Sequence, residues 1–164
     1  MPHPKSSADD RPDEDALRDF SKSLPMALLR AREAIMEEFR PHLRSLEVTE
    51  QQWRVLRALS ALGECNASLL AHHTCISMPS LSRILTGLQS RALIERQTSP
   101  YDLRSVRIRI APDGQALLDA GAARSETIYR SFSERLGTTR LEELYALLDE
   151  VVACLRPYTD ESEP

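Results

Sequence analysis

Six arginines, Arg83, Arg91, Arg96, Arg104, Arg107 and Arg109, fall within residues 76–110 and are opposed there only by Glu95 and Asp102. The segment carries a local charge of +4 in a chain whose formal net charge is −4, so the remainder sums to −8. Guanidinium groups at this density serve one of two ends. They grip a polyanion through charge-assisted, often bidentate hydrogen bonds, or they keep an exposed strand edge from pairing with other chains. Small hydroxyl side chains surround the first of them: Ser77, Ser80, Ser82 and Thr86 lie around Arg83. Such residues allow close approach to another surface and bond either base edges or phosphates.

Other chemistries find little support. His72 and His73 are adjacent, so they face different sides of a helix, and no HxxxH pair exists. The three cysteines, Cys65, Cys75 and Cys154, are odd in number and lack CxxC spacing, which disfavours a disulfide framework and a four-cysteine zinc site. Neither metal nor cofactor is expected. With no Gly-rich phosphate loop, nucleophile motif or paired histidines, an enzyme reading has almost nothing to stand on.

The elements that position these residues are legible in outline. Leu28, Ile35, Met36 and Phe39 recur at helical spacing after Leu24, and Pro41 is expected to end or kink that helix near Arg40. Thr49-Glu50-Gln51-Gln52 is a capping box, with Val48 and Trp53 placed as a hydrophobic staple; Val55, Leu56, Leu59 and Leu62 form the apolar face and Gly63 the end. A short helix follows over about Asn66–His73. Ser77 is then expected to cap a helix whose Leu81, Ile84, Leu85 and Leu88 make one apolar stripe, with the serines, Arg83 and Thr86 largely opposite. Two short helices with a three- or four-residue break, preceded by a third, form a helix-turn-helix pattern.

Leu93–Gln97, a turn at Ser99-Pro100-Tyr101-Asp102, and Val106, Ile108 and Ile110 alternating with Ser105, Arg107 and Arg109 predict a β-hairpin with one apolar and one basic face. A long helix should start near Pro112 and run to about Leu136. Thr138 or Thr139 should cap the last helix, where Leu141, Leu144, Leu148, Val151 and Leu155 repeat at 3-4-3-4 spacing and need a partner helix.

Length bounds the remainder: 164 residues suit one domain, and with aromatics at 5% its core must be mainly aliphatic. No apolar run approaches the roughly 20 residues of a membrane span, so a soluble cytoplasmic protein without a membrane partner is the expectation. The expected organisation is a disordered acidic tail over 1–22, a helical dimerisation region formed by 23–47 with 112–156, a winged helix-turn-helix over 48–111, and a flexible tail over 157–164. The fold class is mainly α with a small β-wing.

In this order the motifs resemble the MarR (multiple antibiotic resistance regulator) family. The matching stretches are VTEQQWRVLRAL (48–59), SMPSLSRILTGLQSRALIER (77–96), the D-x-R of YDLRS (101–105) and PDG (112–114). LLRAREAIMEEFRP (28–41) and TEQQWR (49–54) are most similar to regulators of homoprotocatechuate (4-hydroxyphenylacetate) degradation. Two departures stand out. Ala92 occupies the place of the glycine that usually closes the recognition helix, and Ala111-Pro112-Asp113-Gly114 replaces the common Leu/Thr-x-x-Gly.

The resemblance implies a homodimeric repressor that binds a pseudo-palindromic double-stranded operator and releases it when a small aromatic, often carboxylate-bearing, effector binds. It places Ser77, Ser80, Ser82, Arg83 and Thr86 at the major groove and Arg104, positioned by Asp102, in the minor groove, with Arg107 and Arg109 at phosphates. For the effector, Arg32 and Arg30 would clamp a carboxylate, Trp53 would form a wall, and His42 is a further candidate. Two alternatives stay open: a redox regulator acting through Cys65 or Cys75, and a winged-helix interaction module that binds no DNA.

Overall fold

The computed structural model describes Phe20, residues 23–98 and residues 106–155. Apart from Phe20, the tail expected over 1–22 lies outside the described residues, as do Asp102, Arg104 and the tail over 157–164. Six helices and one hairpin follow in the order α1 (Leu24–Ser45), α2 (Glu50–Leu62), α3 (Ala67–Thr74), α4 (Met78–Ser90), β1 (Ile94–Thr98), β2 (Val106–Ile110), α5 (Pro112–Leu136) and α6 (Thr138–Leu155). The chain divides into two compact units, Met1–Glu37 and Glu38–Pro164. Among the described residues no helix is long and apolar enough to cross a membrane.

The core of the larger unit is built by the predicted stripes. Val55, Leu56 and Leu59 of α2, Leu70 of α3, Leu81 and Leu88 of α4, and Ile108 of β2 are buried. Each such side chain contributes about 1.5–3 kcal/mol by leaving water. The α2 capping box forms in full: Thr49 Oγ1 accepts from the Gln52 amide at 3.1 Å, and the Thr49 amide donates to Gln52 Oε1 at 3.0 Å. The Asn66 side chain caps α3 by accepting from the Leu69 amide at 2.8 Å.

Three expectations about helix ends change. Pro41, expected to end or kink α1, does not end it: it lies inside the helix, which continues to Ser45. Its missing amide costs the helix a bond, on the order of 3 kcal/mol, and burial of Phe39, His42 and Leu43 on either side of it offsets that loss. Ser77 stands at the α4 N-cap without a side-chain capping bond; its hydroxyl donates to Ser80 Oγ instead, at 3.1 Å. Thr138 is the first residue of α6 rather than its cap, and the Gly137 carbonyl accepts the first helical bond, from the Leu141 amide.

Ala92 adopts the left-handed conformation, with φ 55°. The Leu93 amide bonds the Leu88 carbonyl and the Ala92 amide bonds that of Gln89, which is a Schellman motif with alanine in the glycine position. Glu47 (φ 55°) closes α1 and Cys75 (φ 51°) closes α3 by the same pair of bonds. A side chain held in this region costs roughly 1–2 kcal/mol, and glycine's extra unfolded-state entropy returns about 0.4–1 of that. Ala92→Gly is therefore expected to raise the unfolding free energy by about 0.5–1 kcal/mol in urea titrations. A loss of stability would show that the exposed Ala92 methyl contributes more than its backbone costs.

Candidate functional site

The surface of α4 opposite Leu81, Leu85 and Leu88 carries the predicted contact residues. Ser77, Ser82, Arg83 and Thr86 are exposed and Ser80 is half-buried. Arg83 makes no hydrogen bond or ion pair among the described residues, so its fork is available to a ligand. The Thr86 hydroxyl is committed to the Ser82 carbonyl at 3.0 Å, which leaves Thr86 mainly an acceptor toward anything that approaches. The helix is anchored at both ends. Arg54 Nη1 donates to the Thr74 carbonyl in the turn before it at 3.0 Å, and Arg91 Nη1 to the Glu47 carbonyl at 2.7 Å.

In the wing, antiparallel pairing sets Glu95 opposite Arg109, Arg96 opposite Ile108 and Gln97 opposite Arg107. Glu95, Gln97, Arg107 and Arg109 share the outer face. Arg107 and Arg109 are exposed there as expected, but Arg109 donates through Nε and Nη2 to Glu95 Oε2, at 2.9 and 2.5 Å. A phosphate contact by Arg109 must therefore compete with a carboxylate, whereas Arg107 has no such competitor among the described residues. Arg96 belongs to the inner face beside Ile108, where its Nε and Nη2 are buried without hydrogen-bond partners. It lines a cavity of about 200 Å³ with Met78, Leu81, Ser82 and Leu85 of α4.

Cys65 pairs with Ile108 through two backbone bonds of 3.0 and 2.8 Å. Burial pushes its thiol above the ordinary cysteine value; Arg107 nearby opposes that shift and Glu64 adds to it. A buried thiol held above its ordinary value is a poor nucleophile, which speaks against Cys65 as an oxidant sensor and for a packing role. Cys75 and Cys154 are exposed.

On the other side of α2, a cavity of about 340 Å³ opens against α5. Trp53, Arg57 and Ser60 line it from α2, one helical turn apart, and Leu118, Asp119, Ser125 and Tyr129 are among the residues that face them from α5. At one end Ser60 donates to Gln115, which donates to Asp119. Arg57 makes no ion pair or hydrogen bond among the described residues, and the buried Ser125 hydroxyl has no partner. Aromatic walls with a few unengaged polar groups are the usual make-up of a small-molecule site.

Of the four predicted effector residues, Trp53 lines this cavity. His42 is buried rather than presented on the surface, with its ring 6.1 Å from Trp53 in an edge-on arrangement. Its Nε2 lies 3.0 Å from the Gly121 carbonyl; since a carbonyl only accepts, Nε2 carries the proton. Arg30 and Arg32 lie on the part of α1 before Glu38, Arg30 exposed and Arg32 half-buried with Nη1 donating to Glu33 at 2.6 Å. Arg57 and Tyr129 were missed. Arg57 was discoverable as Trp53 plus one helical turn; Tyr129 carries no local signal.

A helix-turn-helix buttressed by α2 and followed by a two-stranded wing with an exposed arginine face defines a winged helix-turn-helix DNA-binding protein. The MarR family model matches residues 48–106, and the homoprotocatechuate degradative operon repressor of Escherichia coli is 37% identical over 131 residues, covering 80% of this chain and 88% of that protein. The chain belongs to the MarR family of transcriptional regulators. Among solved structures, transcriptional regulator PA4135 is similar with a TM-score of 0.78 at 37% identity, covering 82% of this chain and 98% of that one. NadR in complex with 4-hydroxyphenylacetate is similar with a TM-score of 0.71 at 32% identity, covering 92% of this chain and 97% of that one.

Proposed function

We propose that the protein is a homodimeric cytoplasmic repressor, without enzymatic activity, that holds a pseudo-palindromic operator and releases it when a small aromatic carboxylate enters the cavity between α2 and α5. The observation that carries this reading is the shared use of α2. Its Trp53, Arg57 and Ser60 line the cavity, while α2 itself packs on α3 and α4, the pair that presents Ser80, Ser82 and Arg83. A ligand that alters the fit of α2 on α5 necessarily acts on the element supporting the recognition helix. To shift the population it must bind the released arrangement better than the DNA-bound one. Arg57 is suited to the carboxylate, and Trp53 and Tyr129 to the ring. The similarity to an operon repressor for homoprotocatechuate degradation and to a regulator solved with 4-hydroxyphenylacetate supports this class of effector.

Dimerisation is supported by α6, in which no residue is buried and Leu144, Tyr145, Leu147, Val152 and Leu155 are exposed. A helix with so much apolar surface is accounted for by a second copy of the chain, and sedimentation as a monomer at micromolar concentration would exclude it.

DNA binding is tested by a salt titration. Operator affinity is expected to fall steeply with salt; Arg83→Ala should weaken binding by about 1–3 kcal/mol. Arg104→Ala should reduce the logarithmic salt slope by about one. A flat salt response would identify an interaction module instead.

A further inference from the structure

Resting on the effector cavity proposed above, we infer that Ser125 is the residue that selects effectors carrying a ring hydroxyl, and that His42 positions it for the task. Hydroxyl side chains inside helices ordinarily donate to the carbonyl one turn back. Six do so here, Ser45 and Ser90 to the carbonyl three residues back and Thr74, Thr86, Thr127 and Ser133 to the one four back. For Ser125 that carbonyl belongs to Gly121, and the imidazole of His42 already occupies it, at 3.0 Å. The Ser125 hydroxyl has no hydrogen-bond partner, although the residue is only 5% exposed.

The arrangement is specific to this position. The buried residues of α5 are Gly114, Leu118, Gly121, Ser125 and Ile128, and Ser125 alone among them bears a polar side chain. Gly121 is what lets His42 and Trp53 approach. A Cβ there would lie 2.7 Å from Trp53 Cη2, 2.9 Å from Leu46 Cδ1 and 3.3 Å from His42 Nε2. Ser125 lines the same cavity as Arg57, Trp53 and Tyr129. An aromatic acid whose carboxylate meets Arg57 lays its ring along Trp53 and Tyr129. A ring hydroxyl at the far side supplies the partner that Ser125 lacks once the serine side chain, whose oxygen is closed off from solvent, turns about χ1 toward the cavity.

A site built around a hydrogen bond rejects the analogue that cannot make it, because the protein group is then left buried and unpaired. The experiment is calorimetric titration of the full chain with 4-hydroxyphenylacetate and phenylacetate, for the wild type, Ser125→Ala, His42→Phe and Arg57→Ala. The wild type is expected to prefer the hydroxylated acid by about tenfold or more. In Ser125→Ala that preference should vanish through weaker binding of the hydroxylated acid alone, while the ligand-free protein, relieved of an unpaired buried hydroxyl, melts about 2–4 °C higher.

His42→Phe returns the Gly121 carbonyl to Ser125 and should lose the same preference while still binding phenylacetate, a result that mere unfolding would not give. Equal preference in wild type and Ser125→Ala, with both acids lost in Arg57→Ala, would overturn the role of Ser125 and leave the cavity standing. Binding of both acids undiminished in Arg57→Ala would overturn the cavity and Ser125 together.

Discussion

Gly114→Ala is expected to destabilise the protein by about 3 kcal/mol or more in chemical denaturation. Two effects oppose each other at this position. Alanine is the better helix former by about 1 kcal/mol, and Gly114 lies in the first turn of α5 with no positive φ to excuse it. A Cβ there, however, would sit 2.1 Å from the Leu93 carbonyl oxygen and 2.9 Å from Ile110 Cγ1. That carbonyl cannot withdraw, because it accepts the Ala111 amide at 3.0 Å and so ties the end of the wing to the segment following α4. Overlap with fixed backbone outweighs helix propensity. An alanine variant as stable as the wild type would show that this junction yields.

Arg57→Ala is expected to weaken binding of an aromatic carboxylate by about 2–4 kcal/mol, roughly thirtyfold or more, while leaving operator affinity without effector unchanged. The reason is that among the described residues no other arginine lines the α2–α5 cavity, whose remaining charges there, Asp119 and Glu126, repel a carboxylate. Calorimetry of the free protein and effector titration of the operator complex check the two halves separately. Arg30→Ala and Arg32→Ala are the companion variants. If they abolish binding and Arg57→Ala does not, the carboxylate clamp belongs to α1.

The same contrast separates what the sequence carried from what it did not. The capping box at Thr49 and the α4 stripe were legible because each is decided within a few residues. That α1 does not end at Pro41 was not legible, because the burial that carries the helix through it comes from contacts such as His42 with Gly121, 79 residues away. Ala92 signalled a left-handed turn only through comparison with a family pattern. Arg96 was counted with the basic residues, yet a strand alternates faces every residue, and only the register with Ile108 decides that its side chain turns inward. Arg57 is legible only as one turn beyond Trp53, and Tyr129 and Ser125 have no signature of their own. Each gains significance from the other helix of the cavity, and Ser125 also from an imidazole that takes the carbonyl it would otherwise use.

The pair of backbone hydrogen bonds between Cys65 and Ile108 makes Cys65, two residues before α3, a one-residue third strand against the wing. The wing base and the helix-turn-helix are thus stitched together ahead of α3, and pinned again after α4 where Ala111 bonds Leu93. A reading head fastened at two points turns as a solid piece. In the two-fold assembly proposed above, an effector is then expected to act through phase, altering the angular offset between two heads rather than the shape of either. Operators whose half-sites are moved apart by one or two base pairs should then lose affinity more sharply than operators with a single altered base.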